Sequence, residues 1–339
     1  MKKLFLLPIA AILTLASCNT NDPDEQNNFD SFTNGVFVVH EGNFQGGNAS
    51  LSFFNKYTDT LMNDVFTAVN AIPLGDVAQS MVTLGDVGYV VVNNSGKIEV
   101  VNLEDLSSKG TITGLSSPRY ICMVSNTRAY VSDLFSGVIT IFNPQTLATS
   151  GTISISGQVE EMVKTSSGVI AAGTGADQVY KINTLNNTLM DSVYVGVGPS
   201  NLAMDANGKV WILTNGGWGT EAPKLVCIDP TTMNIEVSLD FTLSDFPSSL
   251  KINGAGTVLY WTNGGVFKMD ISTPSISTTA FLNTSAYKVN VDPQTDVIYV
   301  SDAGDFNSNG KIYRYQQNGT PVDTFNVGVI PGEFTFTGQ

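Results

Sequence analysis

The stretch AYVSDLFSGVITIFN, residues 129–143, contains two short apolar runs joined by a polar turn. The first run, AYV, and the second, ITIFN, are rich in the β-branched and aromatic residues that favour strands. The second run ends on Asn143, whose side chain can accept a hydrogen bond from its own backbone two residues further on and so start a turn. The stretch therefore predicts two adjacent strands followed by a tight turn.

The same unit recurs along the chain. The first apolar run is found seven times, as VFVV (36–39), YVVV (89–92), AYV (129–131), VIAA (169–172), VWIL (210–213), LYW (259–261) and IYV (298–300). The second run follows each of them, as LSFFN, IEVVN, ITIFN, VYKIN, LVCID, FKMD and IYRYQ. The second runs end on Asn55, Asn102, Asn143, Asn183, Asp229, Asp270 and Gln316, which are 40 to 47 residues apart. Self-similarity at such a period indicates a repeat architecture.

Two further strands complete each repeat. A third kind of apolar run precedes each of the last six repeats, and a fourth follows the turn, as in MNIEVSLDF (233–241). Four strands at this period are typical of a β-propeller blade. The first repeat lacks its leading strand, and PGEFTFTG (331–338) is a spare one. We therefore predict an all-β fold, a seven-bladed β-propeller of four-stranded antiparallel blades over residues 34–339, whose C-terminal strand closes blade one and covers its edge.

The composition excludes some partners. The 339 residues carry a formal net charge of -14, and only 14% of them are charged. Such an acidic surface repels phosphate backbones, so we expect no nucleic-acid binding. Apart from Cys18, the chain has only Cys122 and Cys227, both in apolar runs, and a single His, His40. We expect both Cys to be buried and predict no metal site and no cofactor.

The N-terminus is typical of a secreted lipoprotein. Lys2 and Lys3 precede a short apolar run, which ends at Leu15-Ala16-Ser17-Cys18. A basic start, a short apolar core and small residues before the cleavage site define a secretory signal. The last four residues resemble the bacterial lipobox. We therefore predict a signal peptide over 1–17, lipidation of Cys18 and a flexible tether over 18–33. The acidic residues at 22–25 resemble the export signal of surface lipoproteins, which predicts an outer-membrane anchor facing the cell exterior.

One face of the predicted propeller is the candidate binding surface. In a blade with strands a to d, the b-to-c and d-to-a loops emerge on the same face, at the mouth of the central channel. The three longest b-to-c loops are HEGNFQGGNA (40–49), NGGWGTEAPK (215–224) and DAGDFNSNG (302–310), and each has an aromatic residue near its middle. Burial does not explain an aromatic side chain in a polar loop. The candidate ligand-binding residues of this face are His40, Glu41, Asn43, Phe44, Asn93, Arg119, Tyr120, Asp133, Phe135, Glu160, Asn215, Trp218, Phe246, Tyr287, Asp302 and Phe306.

These residue types suit a large neutral ligand with amides or hydroxyls and a flat face. Alternatives stay open. Asp305-x-Asn307-x-Asn309-Gly310 matches the front of a calcium-binding loop, but position twelve is Gln316 rather than the Glu that such loops need, so a ligand-binding loop is the preferred interpretation.

No catalytic residue is predicted. A metal-dependent lactonase or lyase using Glu41, Asp133, Asn201 and Asp302 is one alternative class, and a protein- or glycan-binding scaffold is another.

Several segments resemble a known family. YVVVNNSGKIEVVN (89–102) and the stretch at 129–143 resemble the YncE-like propeller repeat. GVFVVHEGN (35–43), SSPRYI (116–121) and DPQTDVIYVSDAGDFNSNGKIYRY (292–315), through VGVIPGEF, resemble the BtuG-type surface lipoproteins that capture vitamin B12 (cobalamin). This resemblance implies binding of a corrinoid on the loop face and its transfer to a TonB-dependent outer-membrane transporter. His40 stands where the family would have Asn, and VEEM (159–162) replaces a Pro-Glu-Gly turn.

Overall fold

The structure is a computed structural model that describes residues 31–338. The strands of blades one to three are β1 (Gly35–His40), β2 (Ser50–Asn55), β3 (Thr60–Met62), β4 (Ala78–Leu84), β5 (Val87–Val92), β6 (Lys97–Asn102), β7 (Ser108–Ile112), β8 (Pro118–Ser125), β9 (Arg128–Asp133), β10 (Val138–Phe142) and β11 (Thr149–Ser154). A short helix, α1 (Val65–Asn70), lies between β3 and β4. 

The strands of blades four to seven are β12 (Met162–Thr165), β13 (Gly168–Gly173), β14 (Gln178–Asn183), β15 (Thr188–Tyr194), β16 (Pro199–Met204), β17 (Val210–Thr214), β18 (Lys224–Ile228), β19 (Ile235–Asp240), β20 (Ser248–Ile252), β21 (Val258–Thr262), β22 (Val266–Asp270), β23 (Lys288–Val291), β24 (Ile298–Asp302), β25 (Asn309–Tyr315), β26 (Pro321–Val329) and β27 (Pro331–Phe336). One 3₁₀ turn spans Thr174–Ala176 in blade four.

These strands form seven antiparallel sheets, and the predicted seven-bladed β-propeller is confirmed. Six sheets have four strands, and blade six has three regular ones, in the order β20-β21-β22. The outer position of blade six is filled by an irregular segment, in which Leu282 makes an isolated bridge to Val266. Pro274 lies in this segment, and since proline has no N–H to donate, it is poorly suited to a strand ladder.

The C-terminal strand closes the ring as predicted. Blade one has the order β27-β1-β2-β3, so the last strand of the chain is the innermost strand of the first blade. Val36 is opposite Phe336, and Val38 is opposite Phe334. The Thr337 hydroxyl accepts a hydrogen bond from the Gly35 backbone N–H at 2.9 Å. This pairing leaves no open inner edge in blade one.

The core lies between neighbouring blades. The second strand of a blade is buried along its whole length, as β1, β13 and β17 show, because both faces of the sheet are covered. Such strands read as continuous apolar runs rather than as an alternating pattern. Between blades two and three, for example, Val91 and Ile98 pack in one cluster with Ile121 and Val131.

The predicted Asx turns are present at the ends of the third strands. The Asn55 side chain accepts a hydrogen bond from the Tyr57 N–H at 2.8 Å. The same contact, 2.7 to 3.3 Å long, recurs at Asn102, Asn143, Asn183, Asp229 and Asp270. At Gln316, where a longer side chain stands, the backbone N–H instead donates to Thr320. The repeated turn thus has the physical cause that the sequence indicated.

The propeller begins upstream of its first strand. Phe32 is fully buried, and its ring centroid lies 5.0 Å from that of Phe53. The fold therefore includes residues at the end of the predicted tether. The predicted signal peptide and Cys18 lie outside the described residues. No helix within residues 31–338 is long and apolar enough to cross a membrane. Cys122 and Cys227 are both buried and unbridged, and burial raises the pKa of each thiol to about 12.

Candidate ligand-binding site

The candidate site lies on the face of the propeller at which the innermost strands begin, here called the top face. His40 ends β1 at this face, opposite Pro331, the first residue of β27. The loops 40–49, 215–224 and 302–310 therefore emerge here, as predicted, together with the connections that lead into each innermost strand.

A cavity of about 300 Å³ lies on this face. It is lined by Arg119, Tyr120, Glu160, Ser200, Asn201, Asn215, Trp218, Phe246, Pro247, Ser248 and Lys288. Six of these residues were predicted as site residues. The innermost strands of blades three, five, six and seven supply the floor, and the loops around Trp218 and Phe246 supply the rim.

Irregular strand starts direct the floor residues into the cavity. The pairing register of β8 shifts between Pro118 and Ile121, which brackets Arg119 and Tyr120. The registers of β16 and β20 shift in the same way between Pro199 and Asn201 and between Ser248 and Lys251. A bulge bends the strand and reorients side chains, and bulges are frequent beside binding sites. The regular strand pairing of the repeat therefore forms the propeller, and the register shifts in β8, β16 and β20 position the side chains of the cavity.

Two stacked aromatic rings form one side of the cavity. The centroids of Trp218 and Phe246 lie 6.4 Å apart, with 27° between the ring planes. Trp218 is 80% exposed, so its indole ring covers almost no other part of the protein. The geometry presents a broad apolar surface at the edge of a polar cavity.

The loop that carries Trp218 has an unusual backbone. Gly216, Gly217, Trp218 and Gly219 all have positive φ, and that of Trp218 is 59°. The carbonyl of Gly216 accepts hydrogen bonds from the N–H groups of Thr220 and Glu221, which closes the loop. Glycine adopts this region freely, whereas a bulky residue does so at a cost. The loop therefore holds the indole at its tip in a strained conformation.

The polar side of the cavity is centred on an ion pair. Arg119 Nε donates to Glu160 Oε2 at 2.9 Å, and its Nη1 donates to Gln79. Gln79 Nε2 in turn donates to the Tyr120 hydroxyl at 3.1 Å. Burial raises the pKa of the Glu160 carboxyl, against the opposing effect of Arg119. The guanidinium group, which belongs to blade three, is thus oriented by side chains of blades two and four.

A second charged cluster lies nearby, on the innermost strands. Lys251 Nζ lies 3.3 Å from Glu161 Oε1 and 3.5 Å from Glu333 Oε1. Asn201 Nδ2 donates to Glu161 Oε1 at 3.0 Å, and the Leu202 N–H donates to Glu161 Oε2 at 2.8 Å. Blades four, five, six and one are joined by these contacts. The carboxylate of Glu161 is held by several donors, which leaves it little capacity for a ligand.

The loops of blades one and seven form a separate group. The Tyr287 hydroxyl donates to Glu41 Oε1 at 2.7 Å, and burial together with this carboxylate raises the pKa of Tyr287, so the hydroxyl stays a donor. The Phe306 ring meets that of Tyr287 edge-on at 5.3 Å. Asn43 Nδ2 donates to the Phe306 carbonyl at 3.1 Å. Phe44 extends from the same loop as Asn43 and is exposed. Neither Phe44 nor Phe306 lines the cavity.

Three predicted ligand-binding residues have structural positions instead. His40 is fully buried, and its Nδ1 lies 2.9 Å from Ser50 Oγ. Asn93 is buried and donates to Ser117 Oγ and to the Pro118 carbonyl, each at 2.9 Å. Asp133 is buried and accepts hydrogen bonds from the N–H groups of Ser117, Phe135 and Ser136. Their polar atoms are used to join blades and close turns, which is why they cannot face a ligand.

The alternative metal interpretation finds little geometric support. Asp302 accepts hydrogen bonds from Ser285, Gly304 and the Tyr313 hydroxyl. Asp305 accepts from the N–H groups of Asn307 and Ser308 within its own loop. Within residues 31–338, no group of three or more His, Cys, Asp or Glu side chains is placed to hold a metal ion. Phe135, the remaining predicted residue, is 71% exposed at the tip of the blade-three loop, outside the cavity lining.

A larger cavity, of about 510 Å³, lies at the opposite face. Leu84, Tyr89 and Leu147 line it, and the Tyr89 hydroxyl is already bonded to the Pro144 carbonyl at 2.9 Å. It has neither stacked exposed rings nor a cluster of oriented polar groups. We therefore assign the candidate site to the top face, despite its smaller volume.

Sequence reasoning missed five lining residues as ligand contacts: Ser200, Asn201, Pro247, Ser248 and Lys288. All five lie within two residues of the start of an innermost strand, directly after the d-to-a connection. The sequence pattern that could have identified them is the pair of residues at the start of each innermost strand: Pro199-Ser200, Pro247-Ser248 and Tyr287-Lys288. Asn201 was considered only as a metal ligand.

The fold and the cavity define a seven-bladed β-propeller with a mixed aromatic and polar site at its top face. Residues 34–336 match the family described as Domain of unknown function (DUF5074), and the chain belongs to this family. No curated protein is significantly similar to it in sequence.

Solved structures share the fold at low sequence identity. A quinonprotein alcohol dehydrogenase-like protein from Bacteroides thetaiotaomicron has a TM-score of 0.68 and 16% identity, covering 91% of this chain and 79% of that chain. A Bacteroides fragilis protein, provisionally named a 6-phosphogluconolactonase, has a TM-score of 0.66 and 16% identity, covering 92% and 99%. Kuenenia stuttgartiensis hydrazine synthase has a TM-score of 0.63 and 11% identity, covering 77% and 89%. These likenesses concern the fold alone.

Proposed function

We propose that this protein binds a corrinoid, such as cobalamin, at its top face, as a lipoprotein of the outer membrane that passes the ligand to a TonB-dependent transporter. The observation that carries the proposal is the stacked and exposed pair Trp218–Phe246 beside a cavity of oriented polar groups. Flat apolar surface next to hydrogen-bonding groups is what a corrin ring with amide side chains requires. 

The strain at Trp218 supports a ligand contact. Among the other apolar residues with positive φ, Leu106 and Met233 are buried, so their packing offsets the cost of the conformation, whereas Phe306 is half-exposed. Trp218 has no such compensation, because it is 80% exposed. Strained residues that packing does not explain cluster at functional sites. An indole ring held in this way is ready to cover apolar ligand surface without first ordering itself.

The cavity accommodates only a part of such a ligand. A corrinoid is larger than the 300 Å³ available, so one edge would enter the cavity while the ring lies across the top face. Asn215, Ser200 and Ser248 offer amide and hydroxyl groups to the ligand's amides. The exposed ring of Phe44 offers further apolar surface on the same face.

The cellular part of the proposal depends on the N-terminal sequence. The lipobox-like Leu15-Ala16-Ser17-Cys18 and the acidic residues after it support a surface anchor. Replacing Cys18 with Ala should release the protein from washed membranes. Retention of the variant with membranes would contradict lipidation at this residue.

We propose a binding protein rather than an enzyme. The alternative lactonase or lyase would need Glu41, Asp133, Asn201 and Asp302 to share a metal ion. Each of the four is instead engaged with its own neighbours: Tyr287 for Glu41, backbone N–H groups for Asp133, Glu161 for Asn201 and Ser285 for Asp302. This arrangement gives the enzymatic alternative no specific support.

Spectral titration of the soluble domain with cyanocobalamin tests the proposal. Covering about 40 to 80 Å² of apolar surface per ring, at ~25 cal/mol per Å², contributes roughly 1 to 2 kcal/mol. Trp218→Ala and Phe246→Ala should therefore each weaken binding by about 5- to 30-fold. Asn207→Ala, an exposed change at the opposite face, is the matched control and should leave affinity unchanged. Absence of cyanocobalamin binding by the wild type would refute the proposed ligand, and equal binding by all variants would refute the proposed site.

A further inference from the structure

Lys288 is the one cation of the top-face cavity without a protein partner among the described residues. Arg119 is paired with Glu160 and Gln79, whereas the Lys288 ammonium makes no ion pair or hydrogen bond within residues 31–338. Its Nζ lies 4.7 Å from the centre of the Tyr287 ring, which keeps the side chain close to the cavity. Lys288 is only partly exposed, and it lines the same cavity as Trp218.

The residues that line the cavity have a net charge opposite in sign to that of the whole chain. The lining has two cations, Arg119 and Lys288, and one carboxylate, Glu160, while the whole chain has a formal net charge of -14. Glu160 is bonded directly to Arg119 and is also close enough to Lys288 to feel its charge, but the ammonium of Lys288 makes no direct contact with the carboxylate. A partly desolvated ammonium group binds an anionic oxygen more strongly than a neutral one. The sequence alone suggests a neutral ligand, because the polar side chains predicted around the aromatic residues are mostly amides and carboxylates.

We infer that Lys288 selects for a single anionic group that the ligand carries next to its flat face. This inference deepens the proposed function and names the group that the cavity recognises. In a cobalamin, that group is the phosphodiester of the nucleotide loop, which has one negative charge. In this arrangement the aromatic pair covers apolar ligand surface, and Asn215, Ser200 and Ser248 hydrogen-bond the ligand's amides. Lys288 binds the ligand's negative charge. Lys288 is therefore a specificity-determining residue, distinct from the aromatic contacts.

Two corrinoids separate this role from general binding. Cyanocobalamin has the phosphodiester, and dicyanocobinamide lacks the whole nucleotide loop. Lys288→Gln should weaken cyanocobalamin binding by about 10- to 100-fold, the range for loss of a charged hydrogen bond, and should change dicyanocobinamide binding by less than about twofold. Lys288→Arg should retain most of the affinity for cyanocobalamin, because it keeps the charge. Lys311→Gln is the matched control, since it removes an exposed charge outside the cavity.

A second pair of probes tests Lys288 independently of corrinoids. 1-Anilinonaphthalene-8-sulfonate and N-phenyl-1-naphthylamine have the same rings, and only the first carries an anionic group. By fluorescence titration, Lys288→Gln should weaken binding of the sulfonate by about 10-fold and leave the neutral probe unchanged. Trp218→Ala should weaken both.

The outcomes are distinguishable. A loss confined to the anionic member of each pair supports the inference. Equal losses for both members, or no loss for either, would overturn it. If the wild type binds neither corrinoid, the proposed function fails, and the naphthalene pair alone then decides whether Lys288 recognises an anion.

Discussion

Acidification from pH 7 to pH 5 should destabilise the propeller through one residue, His40. This is the single His of the chain and is fully buried between blades one and seven. Its Nδ1 lies 2.9 Å from Ser50 Oγ, and the Gly328 N–H donates to its Nε2 at 3.3 Å. A proton on Nε2 would therefore face another donor. Burial and this arrangement keep the ring neutral, and burial lowers the pKa of His40 from 6.5 to about 3.

The sign and size of the effect follow from linkage. Above pH 6.5 the ring is neutral in both the folded and the unfolded state, and the stabilisation is complete. As the pH falls from 6.5 towards 3, His40 becomes protonated in the unfolded chain but stays neutral in the folded protein, so the free energy of unfolding decreases. At about 1.4 kcal/mol per pH unit, the loss between pH 7 and pH 5 is about 2 kcal/mol. That is a large part of the few kcal/mol that typically hold a domain folded.

Urea unfolding at several pH values measures this dependence, and His40→Asn provides the control. The variant has lost the titrating group, so its stability should change little between pH 7 and pH 5, whatever its absolute value. A direct check uses NMR of protein with isotope-labelled His, which has one ring to observe. The ring signals should not shift between pH 8 and pH 5. A titration midpoint above about pH 5 would refute the buried neutral state of His40.

Two further predictions concern closure and strain. Deleting residues 331–339 removes the innermost strand of blade one together with the buried rings of Phe334 and Phe336, whose burial contributes several kcal/mol. Circular dichroism should therefore show loss of the cooperative thermal transition, and an unchanged melting temperature would contradict the closure. Trp218→Gly removes the strain of a left-handed φ, roughly 1 to 2 kcal/mol, but adds about 0.5–1 kcal/mol of chain entropy to the unfolded state. The free energy of unfolding of this variant should therefore equal or slightly exceed that of the wild type. A loss of stability above ~1 kcal/mol would show that the indole supports the fold.

The repeat made the architecture predictable. Strand runs at a fixed period, Asx residues at the turns and a spare C-terminal run each follow from local chemistry, and the structure has all three. The position of the cavity was only partly predictable. Trp218 and Phe246 could be found because an aromatic residue in a polar loop is unexplained by burial, and both lie at the site. 

The side-chain directions were not predictable, because strand irregularities determine them. His40 was expected on the surface, but the register of β1 against β27 shifts between Val39 and His40, and the ring is directed inwards. A bulge reverses the alternation of side chains and leaves no clear mark in one sequence. The same reason explains why Ser200 and Ser248, which flank register shifts in β16 and β20, were overlooked.

Ring closure and site strain are connected energetically. Each blade packs against two neighbours, and the pairing of β27 with β1 leaves no blade free to relax independently. Such a frame can keep Trp218 at a positive φ, because the strain of roughly 1 to 2 kcal/mol is localised in an exposed loop whose flanking strands, β17 and β18, are fixed by their own pairing. Residues of the cavity rim can therefore change with little effect on folding, whereas His40, buried at the junction of blades one and seven, cannot. The same face thus contains two kinds of residue: buried residues such as His40 that join the blades, and residues such as Trp218 that are exposed at the rim of the cavity.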